Sequence, residues 1–166
     1  MTGRPLYWYG CVVVAVFAAV GAGVGLALNF TLGFFIEQFV DPGDDPLSVT
    51  QVAILFLVSI VLVYGLAPVV AGVTGALIGR ALHGREVKAA AVGGLGSFFG
   101  YFLFVGLALF LLLAVLSTYG PPPGGDGNGN GGGPLDPGGR ARLTVQVSLP
   151  VGLVGLVSAY VASRFG

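Results

Sequence analysis

The side chains with chemistry to offer lie mostly between the apolar runs of this 166-residue chain. Asp126, Asn128, Asn130 and Gly131 match the opening D-x-N-x-N-G of a calcium loop, where alternating oxygens and a turn glycine wrap the ion. The twelfth position of such a loop requires a bidentate glutamate; here it is Pro137, with Asp136 beside it. The surrounding YGPPPGGDGNGNGGGPLDPGGRAR therefore reads as a disordered Gly/Pro-rich loop, residues 119–142, rather than a metal site. His83 in RALHGREVK has no second His or Cys beside it and reads as an interfacial loop residue, not a ligand. Cys11 is the only cysteine, which excludes an intramolecular disulfide and a Cys-based cluster; within YGCVVVAV it reads as a small apolar filler. Asn29-Phe30-Thr31 forms a glycosylation sequon, but inside an apolar run where a transferase has no access.

No nucleophile–base pair is evident, because the one histidine sits in a turn and the hydroxyls of Thr74 and Ser97 have no partner in the sequence. No catalytic residue, cofactor site or metal site is assigned, and the chain is not expected to be an enzyme. Asn29, Tyr64, Thr74, Ser97, Tyr101 and Ser148 are the polar groups within apolar runs. Asn29 and Tyr64 are the candidates to line a solute pathway; the simpler role for all six is an interhelical hydrogen bond. No Asp, Glu, Lys, Arg or His falls in the middle of a run, which argues against proton- or ion-coupled transport.

The elements that must carry these residues follow from composition. The chain is 55% hydrophobic and only 8% charged, with a mean hydropathy of +0.95, whereas soluble domains carry about a quarter charged residues. Charge-free runs near 7–30, 52–79, 89–117 and 143–163 are each long enough for a transmembrane helix of about 20 residues. The expected fold is all-α: one membrane domain over 1–166, with four transmembrane helices in a left-handed bundle. The first run is too long for a signal peptide and reads as an uncleaved span. Its tail, FTLGFFIEQFV, is expected to bend at Gly33 and lie along the outer surface. DPGDDPLSVTQ reads as Asp-Pro turns leading into a capping box from Ser48 to Gln51.

Basic residues set the orientation. Arg4, Arg80, Arg85, Lys88 and Arg164 fall on one side and only Arg140 and Arg142 on the other, so both termini are expected in the cytoplasm of a multi-pass cell-membrane protein. Arg80, Arg85 and Lys88 are placed to meet anionic lipid head groups. With no net charge and no basic run, the chain is not expected to bind nucleic acid. Its partners are the bilayer and a second copy or another membrane protein.

Glycine and proline inside the second run need a reason. Gly65, Pro68, Gly72, Gly75 and Gly79 recur at intervals of three and four, one stripe with the 3.5-residue repeat of a packing seam. In lipid, where burying apolar surface gains little, small residues let backbones approach closely. Ala15, Ala18, Ala22, Gly25 and Asn29 form a similar stripe in the first run, Gly93, Gly96 and Gly100 in the third, and Ser148, Gly152, Gly155, Ala159 and Ala162 in the fourth. Pro68 and Pro150 each remove a backbone donor and are expected to kink their helices, with Thr74-type neighbours or water on the freed carbonyls.

AAVGAGVG from Ala18 matches AAVGGLGS from Ala90, and LAPV from Leu66 matches LPV from Leu149, a pattern compatible with two parallel helical-hairpin repeats. The segment PVVAGVTGALIGRALHGREVKAAAVGGLGSFFG, Pro68 to Gly100, resembles the glycine-rich hairpin of small, functionally uncharacterised four-span membrane proteins of halophilic archaea. That resemblance implies a four-span fold and carries no activity. Asn29 with Gly33, and GGLGSFFG, are faintly similar to pore segments of small four-span fluoride channels, but the early arginine and the Thr-rich turn of those channels are missing. The expected function is that of a non-catalytic integral membrane protein, a structural or accessory subunit; the alternative is a passive channel or uncoupled small-solute carrier.

Overall fold

In the computed structural model, residues 5–41, 44–119 and 137–165 are described, the side chains of 137–143 excepted. Among the described residues the fold is an all-α bundle of four α-helices: α1 Leu6–Phe39, α2 Thr50–Ala81, α3 Glu86–Tyr119 and α4 Pro137–Phe165. All four are long and apolar enough to cross a membrane, and the protein is a multi-pass membrane protein by architecture. At 1.5 Å per residue, α1 and α3 are each about 51 Å long and so reach from one head-group region to the other. Large apolar side chains such as Val61, Leu77, Phe99 and Phe110 point outward, as lipid permits and water would not.

Helix pairing departs from chain order. The α1–α3 pair is parallel and in step: Val13 faces Gly96, Phe17 faces Gly100, and Gly21 and Gly25 lie on the backbone of Phe104 and Ala108. The α2–α4 pair is also parallel, from Tyr64 beside Thr144 to Gly79 against Ala159 and Ala162. The antiparallel α3–α4 contact joins these two layers, while α1 and α2, neighbours in sequence, meet only narrowly. α4 is held at its end as well, since the Gly84 amide in the α2–α3 turn donates to the Ser163 carbonyl. Gly84 adopts φ 75°, the left-handed conformation that lets the turn close within a few residues.

Several sequence expectations are corrected. The tail of α1 does not bend at Gly33. The helix continues to Phe39 because Leu32 and Ile36 are buried with Val52, Phe56, Leu112 and Val115, and a bend would strip that cluster apart. Gly33 serves as a contact instead, with Val115 Cγ2 3.4 Å from where a Cβ would stand. α4 begins at Pro137, six residues before the expected span, with proline at the first helical position where its missing N–H is harmless. The remainder of the predicted loop, with the calcium-like Asp126 to Gly131, lies outside the described residues. No capping box opens α2, whose N-cap is Val49. Ser48 donates to the Asp45 carbonyl at 2.6 Å, and Asp45 Oδ1 accepts from the Leu47 amide at 3.0 Å, making a short 3-10 turn over Pro46–Ser48. α2 and α4 run on past Pro68 and Pro150. Thr74 does not reach the carbonyl that Pro68 frees; its hydroxyl bonds to Val70 O at 2.7 Å.

The matched stretches of the two hairpins play different parts. Gly21 packs on α3, whereas its counterpart Gly93 packs on α4, with Gly155 O 2.8 Å from a Cβ built there. In a pair of equivalent hairpins, Gly21 would face α2.

Candidate functional site

The expected seam of α2 divides. Gly72, Gly75 and Gly79 face α4: a Cβ on Gly72 would touch Val154 Cγ1 at 3.7 Å, one on Gly75 would stand 2.6 Å from Gly155 O, and Gly79 is tighter still against Ala159 O. Pro68 is half-buried. Gly65 is not part of the seam, since it is exposed and has open space around its missing Cβ. About two turns apart, Gly65 and Gly72 thus differ because the helix face drifts out of contact.

α3 does not present one glycine stripe. Gly93 and Gly94 receive α4, at Gly155, Ala159 and Leu156, whereas Gly96 and Gly100 receive Val13 and Phe17 of α1. The run GGLGSFFG serves two neighbours, which the expectation of a single face for Gly93, Gly96 and Gly100 did not capture. In α1 the contact face runs through Val13, Phe17, Gly21 and Gly25; of the expected stripe Ala15, Ala18, Ala22, Gly25 and Asn29, Gly25 and Asn29 meet α3 while Ala15 is exposed. Phe17 is wholly buried and meets Phe104 edge to face, ring centres 6.3 Å apart at 83°. A regular four-residue interval with one large and three small or branched residues was the sequence cue for this face, masked by the abundance of alanine.

The two pathway candidates are not brought together. Asn29 Nδ2 donates to Leu111 O of α3 at 2.6 Å, and the Tyr64 hydroxyl stands 3.4 Å from Thr144 Oγ1 of α4. Thr74 and Ser148 bond within their own helices, Ser148 to Val145 O at 2.7 Å, so the interhelical role expected of all six polar groups holds for only two. Among the described residues, Ser97 Oγ and the Tyr101 hydroxyl are buried without a hydrogen-bond partner. Ser97 lies directly against Gly155, whose lack of a side chain admits it. At the acidic end, the exposed Tyr119 hydroxyl donates to Glu37 Oε1 at 2.5 Å.

Two surface grooves follow the α1–α3 pair. One, about 500 Å³, lies at the acidic end beside Asn29, Gly33, Glu37 and Tyr119. The other, about 730 Å³ and almost wholly apolar, lies at the opposite end between Gly10, Cys11 and Ala15 of α1 and Ala91, Leu95 and Phe99 of α3. Arg80, Arg85 and Lys88 are all exposed at that same end, near the α2–α3 turn that the buried Leu82 anchors. Among the described residues, no three His, Cys, Asp or Glu side chains gather to hold a metal. No protein-family model, curated protein or solved structure matches the chain.

Proposed function

We propose that the protein is a non-catalytic integral membrane protein, a structural or accessory subunit of the cell membrane with both termini in the cytoplasm. The observation that carries this reading is the Asn29–Leu111 hydrogen bond: the one side-chain amide within the first apolar run is committed to tying α1 to α3. Glycine-to-backbone contacts along α2–α4 and α3–α4 support it, since a bundle this closely apposed leaves its inner faces to one another. Its partners are the bilayer and a second copy or another membrane protein; lipid head groups are met by Arg80, Arg85 and Lys88.

A passive channel is the second reading, favoured by the unpartnered hydroxyls of Ser97 and Tyr101 in the core. Flux through proteoliposomes of the purified protein separates the two. The accessory reading expects no selective flux above empty liposomes. Selective flux abolished by Asn29→Leu with Tyr64→Leu, in a protein that still folds, would replace it with the channel.

A further inference from the structure

The apolar groove between the first halves of α1 and α3 has the dimensions and the charge placement of a site for one lipid molecule. Along α1 it runs from Leu6 to Ala18, about 18 Å at 1.5 Å per residue, against roughly 15 Å for one leaflet of a 30 Å hydrocarbon core. Its floor is made of small residues: Gly10 has open space where a Cβ would be, and Gly96 lets Val13 close the bottom. On α3, Lys88 precedes Val92, Leu95 and Phe99 by four, seven and eleven residues and so stands on the same helix face, at the open end of the groove. Lys88 is exposed, as is Arg85 in the turn just before α3, with Glu86 the one acid between them. Trp8, 47% exposed, stands next to the groove residue Tyr7 and, by the α1–α3 register, about one turn deeper than Lys88.

We propose that this groove binds an anionic phospholipid, one acyl chain lying between α1 and α3 and the phosphate held by Lys88 and Arg85. A groove that ends at a membrane interface and is capped by cations fits an amphiphile with an anionic head. A second copy of the chain would bring its own Lys88 and Arg85 to the same end and place like charges together. The inference rests on the four spans and not on whether the bundle conducts.

The single tryptophan provides the test. The full-length protein is reconstituted in vesicles of zwitterionic and anionic phospholipids with the same acyl chains, one of the two brominated in each series. Quenching of Trp8 then reports which lipid sits beside it. The expected result is a preference for the anionic lipid of about fivefold per basic side chain near the surface. Lys88→Gln with Arg85→Gln should bring the ratio toward one, and so should Gly10→Leu, which fills the groove where there is room for a side chain without disturbing the fold. A wild-type ratio of one overturns the proposal. So does a preference that survives Gly10→Leu, which would mean head-group attraction without an acyl-chain site. Cys11–Cys11 cross-linking in the same vesicles, with no lipid preference, would assign the groove to a second copy instead. Selective flux would overturn the accessory reading and leave this site standing.

Discussion

Gly75→Ala and Gly65→Ala make the same chemical change in the same helix and are expected to have opposite effects. Either substitution improves helix propensity by about 1 kcal/mol in water, and by less in lipid. At Gly65 the new methyl meets nothing within 4 Å, so stability should stay level or rise by up to that amount. At Gly75 the methyl would stand 2.6 Å from Gly155 O, 3.1 Å from Ser158 Cβ and 3.3 Å from Ala159 N. Two of these atoms are backbone, so no side-chain rotation relieves the clash and α2 must move off α4 by a substantial fraction of an ångström. A gap of 0.5–1 Å forfeits about a quarter to a half of the dispersion energy along the contact, and overpacking of this kind costs about 1–3 kcal/mol. The difference between the two variants is therefore about 1–4 kcal/mol. Reversible unfolding in mixed micelles, followed by helical circular dichroism as denaturing detergent is raised, measures it directly. Equal stability of the two variants would refute the assignment of Gly75 to the α2–α4 contact and the packing argument with it.

Asn29→Leu should lower stability by about 0.6–1.7 kcal/mol in the same assay, the range of interhelical hydrogen bonds in lipid; no loss would mean that the Leu111 bond contributes nothing. Tyr101→Phe removes a buried hydroxyl that has no partner and should raise stability by about 1–3 kcal/mol, whereas a fall would show that the hydroxyl is bonded. Gly84→Ala forces a side chain into the left-handed turn conformation and should cost about 1–2 kcal/mol, with faster amide exchange at residue 84 as the link to Ser163 loosens. Unchanged exchange there would refute the coupling.

Hydropathy was legible to within a few residues in the second and third spans. The spans expected at 52–79 and 89–117 lie inside α2 and α3 with two or three residues to spare at each end. Apolar length is a property of the chain alone, because a bilayer excludes unpaired backbone groups from its core whatever the tertiary arrangement. Local capping was less legible: the Ser48 hydroxyl could accept from a backbone amide of α2 or donate to the Asp45 carbonyl, and the 3-10 turn of Asp45 won over the capping box. The fate of the six polar groups was likewise hidden, since a hydroxyl in a helix bonds to its own turn or to a neighbour according to which face it occupies.

By itself the sequence determined the four apolar helices found among the described residues, where the first three begin to within three residues, and which ends gather the basic side chains. The tertiary structure alone decided that α1 pairs with α3 rather than with α2, that the glycines of α3 divide between α1 and α4, and that Gly65 faces outward. The physical reason is the solvent. In water a helix has one face that must be buried, and its pattern names that face; in lipid every apolar face is tolerated, so stripes of glycine and alanine are degenerate. The choice among them falls to the fit of particular contacts, such as Phe17 in the notch of Gly100 and Gly75 on the backbone of Gly155, and these exist only once the helices have met.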